Sequence, residues 1–336
     1  MIIIAEKEPK QNIQEIVKYI ESKGLTAFIS EGEKKTVVGA IGNERELDQQ
    51  KLEMMKGVLR VVPVLAPYQF ASREFKPKNT VINVNGVKIG SDELTIMAGP
   101  CAVESEEQLR EAAQAVKQNG AQILRGSAFK PRTSPYQFQG LKEKGLKMLR
   151  KVADELKMPV ETEIMDIRNV KTAAEHVDLL RIGARNMQNY DLLKEVGKTN
   201  KPVILKNGLA ATIKEFILAA EYILAEGNQQ VIFCERGLRT AETETRFTLD
   251  LSAIPVLKKL THLPVIADPS HSSGKRYLVP PMSKAAIASG ADGLIIEVHP
   301  QPEKALCDGP QSLTPKEFKT LMTELKPLAN AVGRKL

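Results

Sequence analysis

The sequence lacks the features that mark membrane, secreted and disulfide-stapled proteins. It has no tryptophan and only three cysteines. Because the cysteines are odd in number and far apart in the sequence, they argue against a disulfide framework and are typical of a protein of the reducing cytoplasm. Its longest apolar runs fall far below the ~20 residues that a membrane span requires. Acidic groups stand near the amino terminus, where a secretory leader would be basic. We therefore expect a cytoplasmic protein with no membrane partner.

A concentrated basic tract is also missing. The formal net charge is +7, yet the one dense basic stretch, Arg125–Arg150, spreads its lysines and arginines over a predicted strand end, a loop and a helix. Nucleic-acid binding requires an extended basic stripe, so we expect no nucleic-acid partner. A content of 42% hydrophobic and 26% charged residues is that of an ordinary globular chain, which excludes a disordered or fibrous protein.

Residues 1–66 are predicted to fold as a small ferredoxin-like α+β domain. The predicted strands are Met1–Ala5, Thr26–Ser30, Lys35–Ile41 and Val58–Leu65, and the predicted helices are Gln11–Lys23 and Glu44–Met55. β-Branched runs indicate the strands, and apolar residues at helical spacing indicate the helices. The resulting β-α-β-β-α-β order is that of the ferredoxin-like arrangement.

Residues 67–92 are predicted to form a proline-containing linker and a β-hairpin, because Asn85-Gly86 suits a two-residue type I′ turn. From residue 93 to residue 336, short apolar strands alternate with helices, eight of each. Most of these strands are continuous apolar runs, as expected when both faces of a parallel sheet are buried. Eight βα units over ~240 residues match a (β/α)8 TIM barrel, which we favour over a doubly wound sheet.

In a TIM barrel the chemistry lies where the strands end. The predicted strand ends concentrate arginine and lysine together with cysteine, histidine and acidic residues. The cations at or near these ends are Arg125, Lys130, Arg132, Arg185, Lys206 and Arg236. Guanidinium and ammonium groups bind phosphate and carboxylate oxygens, so the rim predicts an anion site; separate surface ion pairs are the alternative interpretation.

The same rim offers a metal site. Cys101, His271 and Glu297 stand at the ends of the first, seventh and eighth strands, which are neighbours around a closed barrel, and Asp308 follows the last strand. Mixed sulfur, nitrogen and oxygen ligands suit Mn²⁺, Fe²⁺, Co²⁺ or Zn²⁺ rather than Ca²⁺. No CxxC or HExxH motif accompanies them, so a packed thiol and a hydrogen-bonding imidazole remain open interpretations.

Taken together, the rim segments resemble the 3-deoxy-D-arabino-heptulosonate 7-phosphate (DAHP) synthases. The matching stretches are Met97–Ser105, Leu124–Gly140, Arg181–Asn189, Ile204–Gly208, Cys234–Thr240, Asp268–Arg276 and Glu297–Leu313. The front domain resembles the ferredoxin-like regulatory extension of one subgroup. The resemblance implies a metal-dependent condensation of phosphoenolpyruvate with erythrose 4-phosphate and water, the first step of the shikimate pathway.

The resemblance also implies roles for individual residues. One divalent metal ion, of undetermined identity, would be held by Cys101, His271, Glu297 and Asp308. Phosphoenolpyruvate would be bound by Arg125, Lys130, Arg185, Lys206 and Arg236. Erythrose 4-phosphate would be contacted by Lys130, Arg132, Thr133 and Asp308. The catalytic set is thus Lys130 with Cys101 and His271.

Lys130 is the expected proton donor to the new hydroxyl, because in the resemblance it alone bridges both substrates. Neighbouring arginines are expected to lower its pKa and so assist proton transfer. Glu163 and His299 are expected to position the attacking water. These assignments place one acid and two water-positioning groups on the same rim.

Two other functions remain open. A 3-deoxy-octulosonate 8-phosphate synthase would share the barrel and the phosphoenolpyruvate site, but its pattern has Ala-Asn-Arg-Ser where this chain has Lys130-Pro131-Arg132-Thr133-Ser134, which favours erythrose 4-phosphate. A catalytically silent regulatory homologue is disfavoured because every site position holds a competent residue. The front domain is expected to bind an aromatic amino acid, with an oligomerisation module as the alternative, and the resemblance implies a homotetramer.

Overall fold

The computed structural model describes residues 1–336, which separate into two compact units, Met1–Pro67 and Tyr68–Leu336. The first unit contains β1 (Ile2–Glu6), α1 (Lys10–Ser22), β2 (Thr26–Glu31), β3 (Lys35–Ile41), α2 (Gln49–Glu53) and β4 (Val58–Val62). Its strands form one antiparallel sheet in the order β2-β3-β1-β4. The predicted ferredoxin-like arrangement is therefore confirmed.

The core of the first unit follows from the apolar pattern of α1. Ile13, Ile16 and Ile20 recur at helical spacing and are all buried. They belong to one apolar cluster with Ile3 of β1 and Val38 of β3. The sheet thus buries the face that β1 and β3 turn toward the helix.

The second helix of this unit is shorter than the predicted Glu44–Met55. Glu44–Glu46 forms a separate 3-10 turn, and α2 has only five residues. The cause is the buried Glu44 carboxylate, which pairs with the amino-terminal ammonium of Met1 and accepts the backbone N–H of Leu65 at 2.6 Å. These tertiary contacts override the local helical pattern.

The second unit begins with an irregular segment and a hairpin of β5 (Ile82–Val84) and β6 (Val87–Ile89). Asn85 and Gly86 have φ angles of 47° and 95°, the positive values that a type I′ turn requires. The hairpin side chains pack in one cluster with residues near the start of the barrel strands. The hairpin therefore fills the amino-terminal end of the barrel.

Eight parallel strands close into a barrel in the order β10-β11-β12-β13-β14-β7-β8-β9. These strands are β7 (Thr95–Gly99), β8 (Ile123–Arg125), β9 (Val160–Ile164), β10 (Leu179–Ile182), β11 (Val203–Lys206), β12 (Val231–Glu235), β13 (Val265–Ala267) and β14 (Gly293–Glu297). All their residues are buried, as the apolar runs predict for a parallel sheet inside a ring of helices. The predicted TIM barrel is confirmed.

The helices of the second unit surround these strands. They are α3 (Glu106–Gln118), α4 (Lys142–Glu155), α5 (Val170–His176), α6 (Tyr190–Gly197), α7 (Ile213–Ala225), α8 (Ala253–Leu260), α9 (Pro269–Ser273), α10 (Val279–Ala288) and α11 (Pro315–Ala331). None of the helices in the chain combines the length and apolar character needed to cross a membrane. The short α9 follows β13 directly, so it lies at the end of the barrel where the strands terminate.

Candidate active site

The carboxyl ends of the barrel strands surround a cavity of about 290 Å³. Eight of the predicted site residues line it: Lys130, Arg132, Thr133, Arg185, Lys206, Arg236, His271 and Asp308. The strands place these residues together because parallel strands of a barrel all end on one rim. The cavity wall is dominated by cations, as the sequence predicts for an anion site.

Three predicted site residues are buried and do not line the cavity. Cys101 is 2% exposed, and Arg125 and Glu297 are fully buried. The guanidinium Nη1 of Arg125 lies 3.1 Å from Glu297 Oε1, and its Nε lies 3.8 Å from Glu161 Oε1. The charge of Arg125 is thus balanced by two carboxylates within the protein.

The four predicted metal ligands meet in one cluster. One ligand atom from each of Cys101, His271, Glu297 and Asp308 lies within 4.8 Å of the others. They converge because β13, β14 and β7 are neighbours in the barrel. Asp308 comes from the loop after β14, and its φ of 53° is a left-handed value that non-glycine residues rarely adopt.

The cluster has the chemistry of a site for one divalent cation. Cys101 Sγ lies 3.1 Å from Asp308 Oδ2, and His271 Nε2 lies 3.3 Å from Glu297 Oε1. Glu297 Oε1 is buried and makes no hydrogen bond, although Arg125 Nη1 lies 3.1 Å away, so it is free to act as a ligand to a bound cation. One sulfur, one nitrogen and two carboxylates form a donor set that suits Mn²⁺, Fe²⁺, Co²⁺ or Zn²⁺. The residues present therefore fit such an ion.

His271 is oriented by Asp268, which caps α9. The Asp268 carboxylate accepts the backbone N–H of His271 at 2.9 Å, and its Oδ2 lies 2.8 Å from His271 Nδ1. The other ring nitrogen, Nε2, consequently points at the cluster. Burial lowers the pKa of His271, which favours the neutral imidazole that binds metals.

The cations of the cavity differ in their surroundings. Lys206 pairs with Asp268 and is buried, whereas Arg185 is exposed and makes no ion pair. Burial lowers the pKa of Arg236 to about 10, and its guanidinium stacks 4.0 Å from the ring of Phe247. Arg236 still carries its positive charge at neutral pH. The wall therefore offers an anion at least two charged groups without an internal carboxylate partner.

The pKa of Lys130 is raised, whereas the sequence predicted that it would be lowered. Its Nζ lies 3.0 Å from Cys101 Sγ, and the side chain is buried. Burial by itself lowers the pKa of Lys130, but attraction from Glu163 and from Cys101 and Cys307 in their thiolate forms outweighs burial and leaves the pKa raised. The prediction of a lowered pKa is wrong because negative groups, rather than arginines, are the near neighbours of this ammonium.

Arg132 and Thr133 belong to the outer part of the cavity. Arg132 Nη1 donates to Cys307 Sγ at 2.5 Å, and its Nε donates to Gln137 at 3.2 Å. Cys307 Sγ in turn lies 3.3 Å from Cys101 Sγ, which joins this outer part to the ligand cluster. Thr133 is exposed.

Of the two residues expected to position water, the structure brings one to the cavity. Glu163 lines it and is held by Arg181, whose Nη1 lies 3.2 Å away. Although burial raises the pKa of Glu163, the charges of Arg181, Lys130, Lys206 and His271 together outweigh burial and hold the pKa below its ordinary value. His299 is absent from the lining, and its Nε2 lies 3.4 Å from Glu104 Oε2 instead.

Two arginines that line the cavity, Arg181 and Arg246, are not among the site residues predicted from the sequence. Arg181 is 1% exposed and pairs with Glu161 at 2.9 Å as well as with Glu163. A charged residue inside the apolar run of β10 is the signal that could have identified it. Arg246 lies in the irregular loop between β12 and α8, where no pattern distinguishes it.

A closed βα barrel with a cationic cavity beside a sulfur, nitrogen and oxygen cluster defines an enzyme that acts on small anionic molecules. Comparison with known proteins specifies this class further. The family described as the DAHP synthetase I family matches residues 75–333, and the DAHP synthase ferredoxin-like domain matches residues 1–66. The chain belongs to the DAHP synthetase I family.

Individual relatives agree with this membership. The chain is 51% identical over 336 residues to the phospho-2-dehydro-3-deoxyheptonate aldolase of Thermotoga maritima. This match covers 100% of this chain and 99% of the relative. The crystal structure of phospho-2-dehydro-3-deoxyheptonate aldolase (DAHP synthase) from Thermotoga maritima has a TM-score of 0.94 at 51% identity, over 99% of this chain and 98% of that chain. The resemblance seen in the rim motifs and the predicted enzyme class, 3-deoxy-7-phosphoheptulonate synthase, are confirmed.

A second group of relatives matches only part of the chain. The 2-dehydro-3-deoxyphosphooctonate aldolase of Geobacter sulfurreducens is 35% identical over 266 residues, which span 74% of this chain and 97% of the relative. Its lower identity and partial coverage place it further from this chain than the Thermotoga relative.

Proposed function

We propose that this chain condenses phosphoenolpyruvate with erythrose 4-phosphate and water to give 3-deoxy-D-arabino-heptulosonate 7-phosphate and phosphate, the first step of the shikimate pathway. The supporting observation is the cationic cavity beside the four-residue ligand cluster in a chain of the DAHP synthetase I family. Both organic substrates are phosphorylated, so a site that holds them together requires several cations.

The ligand cluster is assigned to one divalent metal ion held by Cys101, His271, Glu297 and Asp308. When bound, the ion would act as a Lewis acid that polarises the aldehyde carbonyl of erythrose 4-phosphate. Burial raises the pKa of the Cys101 thiol, and the Lys130 ammonium 3.0 Å away opposes that increase. Lys130 therefore assists the thiolate form that a metal ligand requires.

The residues of the cavity wall, together with the buried Arg125 behind it, are divided between the two substrates. Phosphoenolpyruvate is assigned to Arg125, Lys130, Arg185, Lys206 and Arg236. Erythrose 4-phosphate is assigned to Lys130, Arg132, Thr133 and Asp308. The exposure of Thr133 supports an outer position for the aldose, and the burial of Lys206 and Arg236 supports a deeper position for phosphoenolpyruvate.

In the proposed reaction, carbon 3 of phosphoenolpyruvate attacks the aldehyde carbon. Lys130 donates a proton to the oxygen that becomes the new hydroxyl, because its raised pKa keeps it protonated at neutral pH. Glu163, ionised and facing the cavity, orients the water that adds to carbon 2. The resulting hemiketal phosphate then releases inorganic phosphate.

The decisive experiment follows phosphate release from phosphoenolpyruvate plus erythrose 4-phosphate, with and without a chelator, and with Mn²⁺ restored. We expect activity that disappears with the chelator and returns with the metal. Activity that persists after the metal has been shown to be removed would keep the synthase but refute the metal assignment. No activity with any metal would make the pentose the next substrate to assay, and a second failure would favour the catalytically silent homologue.

The partial match to 2-dehydro-3-deoxyphosphooctonate aldolase supports a second candidate, a synthase that takes arabinose 5-phosphate. The same phosphate-release assay with the pentose distinguishes the two. We expect much faster turnover with erythrose 4-phosphate, and equal or faster turnover with arabinose 5-phosphate would overturn that choice.

For the front domain, residues 1–66, we propose binding of an aromatic amino acid that regulates the enzyme. Residues 67–92 then serve as linker and hairpin, and residues 93–336 as the catalytic barrel. Deleting residues 1–66 should abolish inhibition by tyrosine or phenylalanine while turnover is kept; unchanged inhibition would refute the proposal.

We also propose a homotetramer, which sedimentation analysis tests, and a cytoplasmic location, supported by three cysteines that form no disulfide.

A further inference from the structure

The loop between β12 and α8 contacts a carboxylate of the ligand cluster through the side chain of Arg246. Arg246 Nη1 lies 3.3 Å from Asp308 Oδ1 and donates to Gln311 Oε1 at 3.1 Å. The second oxygen of Asp308, Oδ2, faces Cys101 Sγ at 3.1 Å. The guanidinium thus holds the carboxylate oxygen that points away from the cluster and leaves the other one facing it.

Gln311 extends this contact to a second ligand. Its side chain is buried, and its Nε2 donates to Glu297 Oε2 at 2.6 Å. Glu297 Oε1, the other oxygen, lies 3.3 Å from His271 Nε2. Because one amide both accepts from Arg246 and donates to Glu297, the position of the guanidinium also sets the rotation of this carboxylate.

The backbone of the same loop is fixed to α9, which carries His271. Arg246 N donates to Ser273 O at 3.1 Å, and Phe247 N donates to Ser272 O at 2.8 Å. The approach is close enough that a Cβ added at Gly274 would lie 2.6 Å from the Cβ of Arg246. The backbone of Arg246 is therefore fixed to the helix that carries His271, while its side chain contacts the Asp308 carboxylate directly and the Glu297 carboxylate through Gln311.

We propose that Arg246 and Gln311 are positioning residues that orient the carboxylates of Asp308 and Glu297 for metal binding. This inference rests on the proposed metal site. It requires metal affinity to fall when Arg246 is removed. A guanidinium that acts only as a nearby charge would do the opposite, since a positive group repels a cation and its removal would raise the affinity.

The test is a titration of the metal-stripped full chain with Co²⁺ alone, followed by absorption. We expect Arg246→Gln and Gln311→Ala each to weaken Co²⁺ binding by about 10- to 100-fold, the usual effect of removing a group that orients a ligand. Arg246→Lys keeps the charge but not the planar guanidinium whose Nη1 contacts both Asp308 and Gln311, so it should restore only part of the affinity. The matched control is Arg239→Gln on the same loop, which lies outside the cavity lining and should bind Co²⁺ as the unchanged chain does.

The double variant of Arg246→Gln with Gln311→Ala provides a second readout. If the two residues act as one connected pair, its loss of affinity is smaller than the product of the separate losses. Affinity that is unchanged or increased in Arg246→Gln and in Gln311→Ala, with the circular dichroism of the unchanged chain, would overturn the inference. Failure of the unchanged chain to bind Co²⁺ would instead refute the proposed metal site and the inference with it.

Discussion

Asp268 holds His271 at two points, through the backbone N–H of the histidine at 2.9 Å and through its ring Nδ1 at 2.8 Å. A carboxylate behind a metal-binding histidine fixes which ring nitrogen is free and increases its basicity. The position of Asp268 at the amino end of α9 makes this possible, because one side chain caps the helix and contacts the ring that the helix presents.

Asp268→Asn is expected to weaken Co²⁺ binding by about 10- to 100-fold, since the neutral amide no longer supports the imidazole. Titration of the metal-stripped protein measures the affinity. Asp154→Asn, in an exposed pair on α4, is the control and should bind Co²⁺ normally. Unchanged affinity in Asp268→Asn would contradict the assigned role of this carboxylate.

Lys130→Gln is expected to lower kcat by about 10²- to 10⁴-fold, the usual contribution of a general acid. Co²⁺ binding should weaken less than kcat falls, because the ammonium assists the Cys101 thiolate but is not itself part of the donor set. Steady-state phosphate release and metal titration on the same preparation separate the two effects. Lys147→Gln on the exposed face of α4 is the matched control. Turnover within tenfold of the unchanged enzyme would exclude Lys130 as the proton donor.

Arg181→Met is expected to reduce the free energy of unfolding by about 3–5 kcal/mol, because it leaves two buried carboxylates without their shared cation. Urea unfolding followed by circular dichroism measures the change. The matched control is Arg168→Met, which removes an exposed pair with Asp166 and should leave the unfolding free energy unchanged. If the two substitutions change the free energy of unfolding equally, the burial of the Arg181 ion pairs does not determine their contribution to stability.

Glu235 predicts a pH dependence of stability. Burial raises its pKa to about 7, although its Oε1 accepts the backbone N–H groups of Gly237 and Asp250. The native carboxyl therefore keeps its proton where the unfolded chain, with a pKa of about 4.3, has lost it. The stability that this residue contributes is fully present below that value and is lost as pH rises toward 7.

Glu235→Gln cannot titrate and should not show this loss. We expect the unfolding free energy of the unchanged chain, relative to the variant, to fall by on the order of 3 kcal/mol between pH 4 and pH 7.5, since one pKa unit corresponds to about 1.4 kcal/mol. Urea unfolding across that range provides the values. Glu107→Gln, exposed on α3, serves as the control. Parallel curves for the unchanged chain and Glu235→Gln would refute the prediction.

The sequence was sufficient for the barrel and for the meeting of the ligand residues. Apolar runs identified the strands, and a closed barrel makes its first and last strands neighbours, which brings Cys101 and Glu297 together. Contacts made by irregular loops were not predictable. Arg246 contacts Asp308 because backbone hydrogen bonds to α9 fix the path of its loop. The hydrophobic periodicity of the sequence does not predict that path. The pKa of Lys130 was mispredicted for a related reason, since it depends on which charges surround the folded side chain.

The hairpin of β5 and β6 has a consequence for the order of events at the cavity. Its side chains pack with strand side chains at the amino-terminal end of the barrel, whereas the cavity lies at the opposite end, so we expect molecules to enter the cavity from the end where the strands terminate. Under the proposed substrate assignment, we expect the molecule bound at the buried Lys206 to enter before the one bound at the exposed Thr133. An entrance at one end of the barrel therefore predicts ordered binding, in which the more deeply bound molecule binds first.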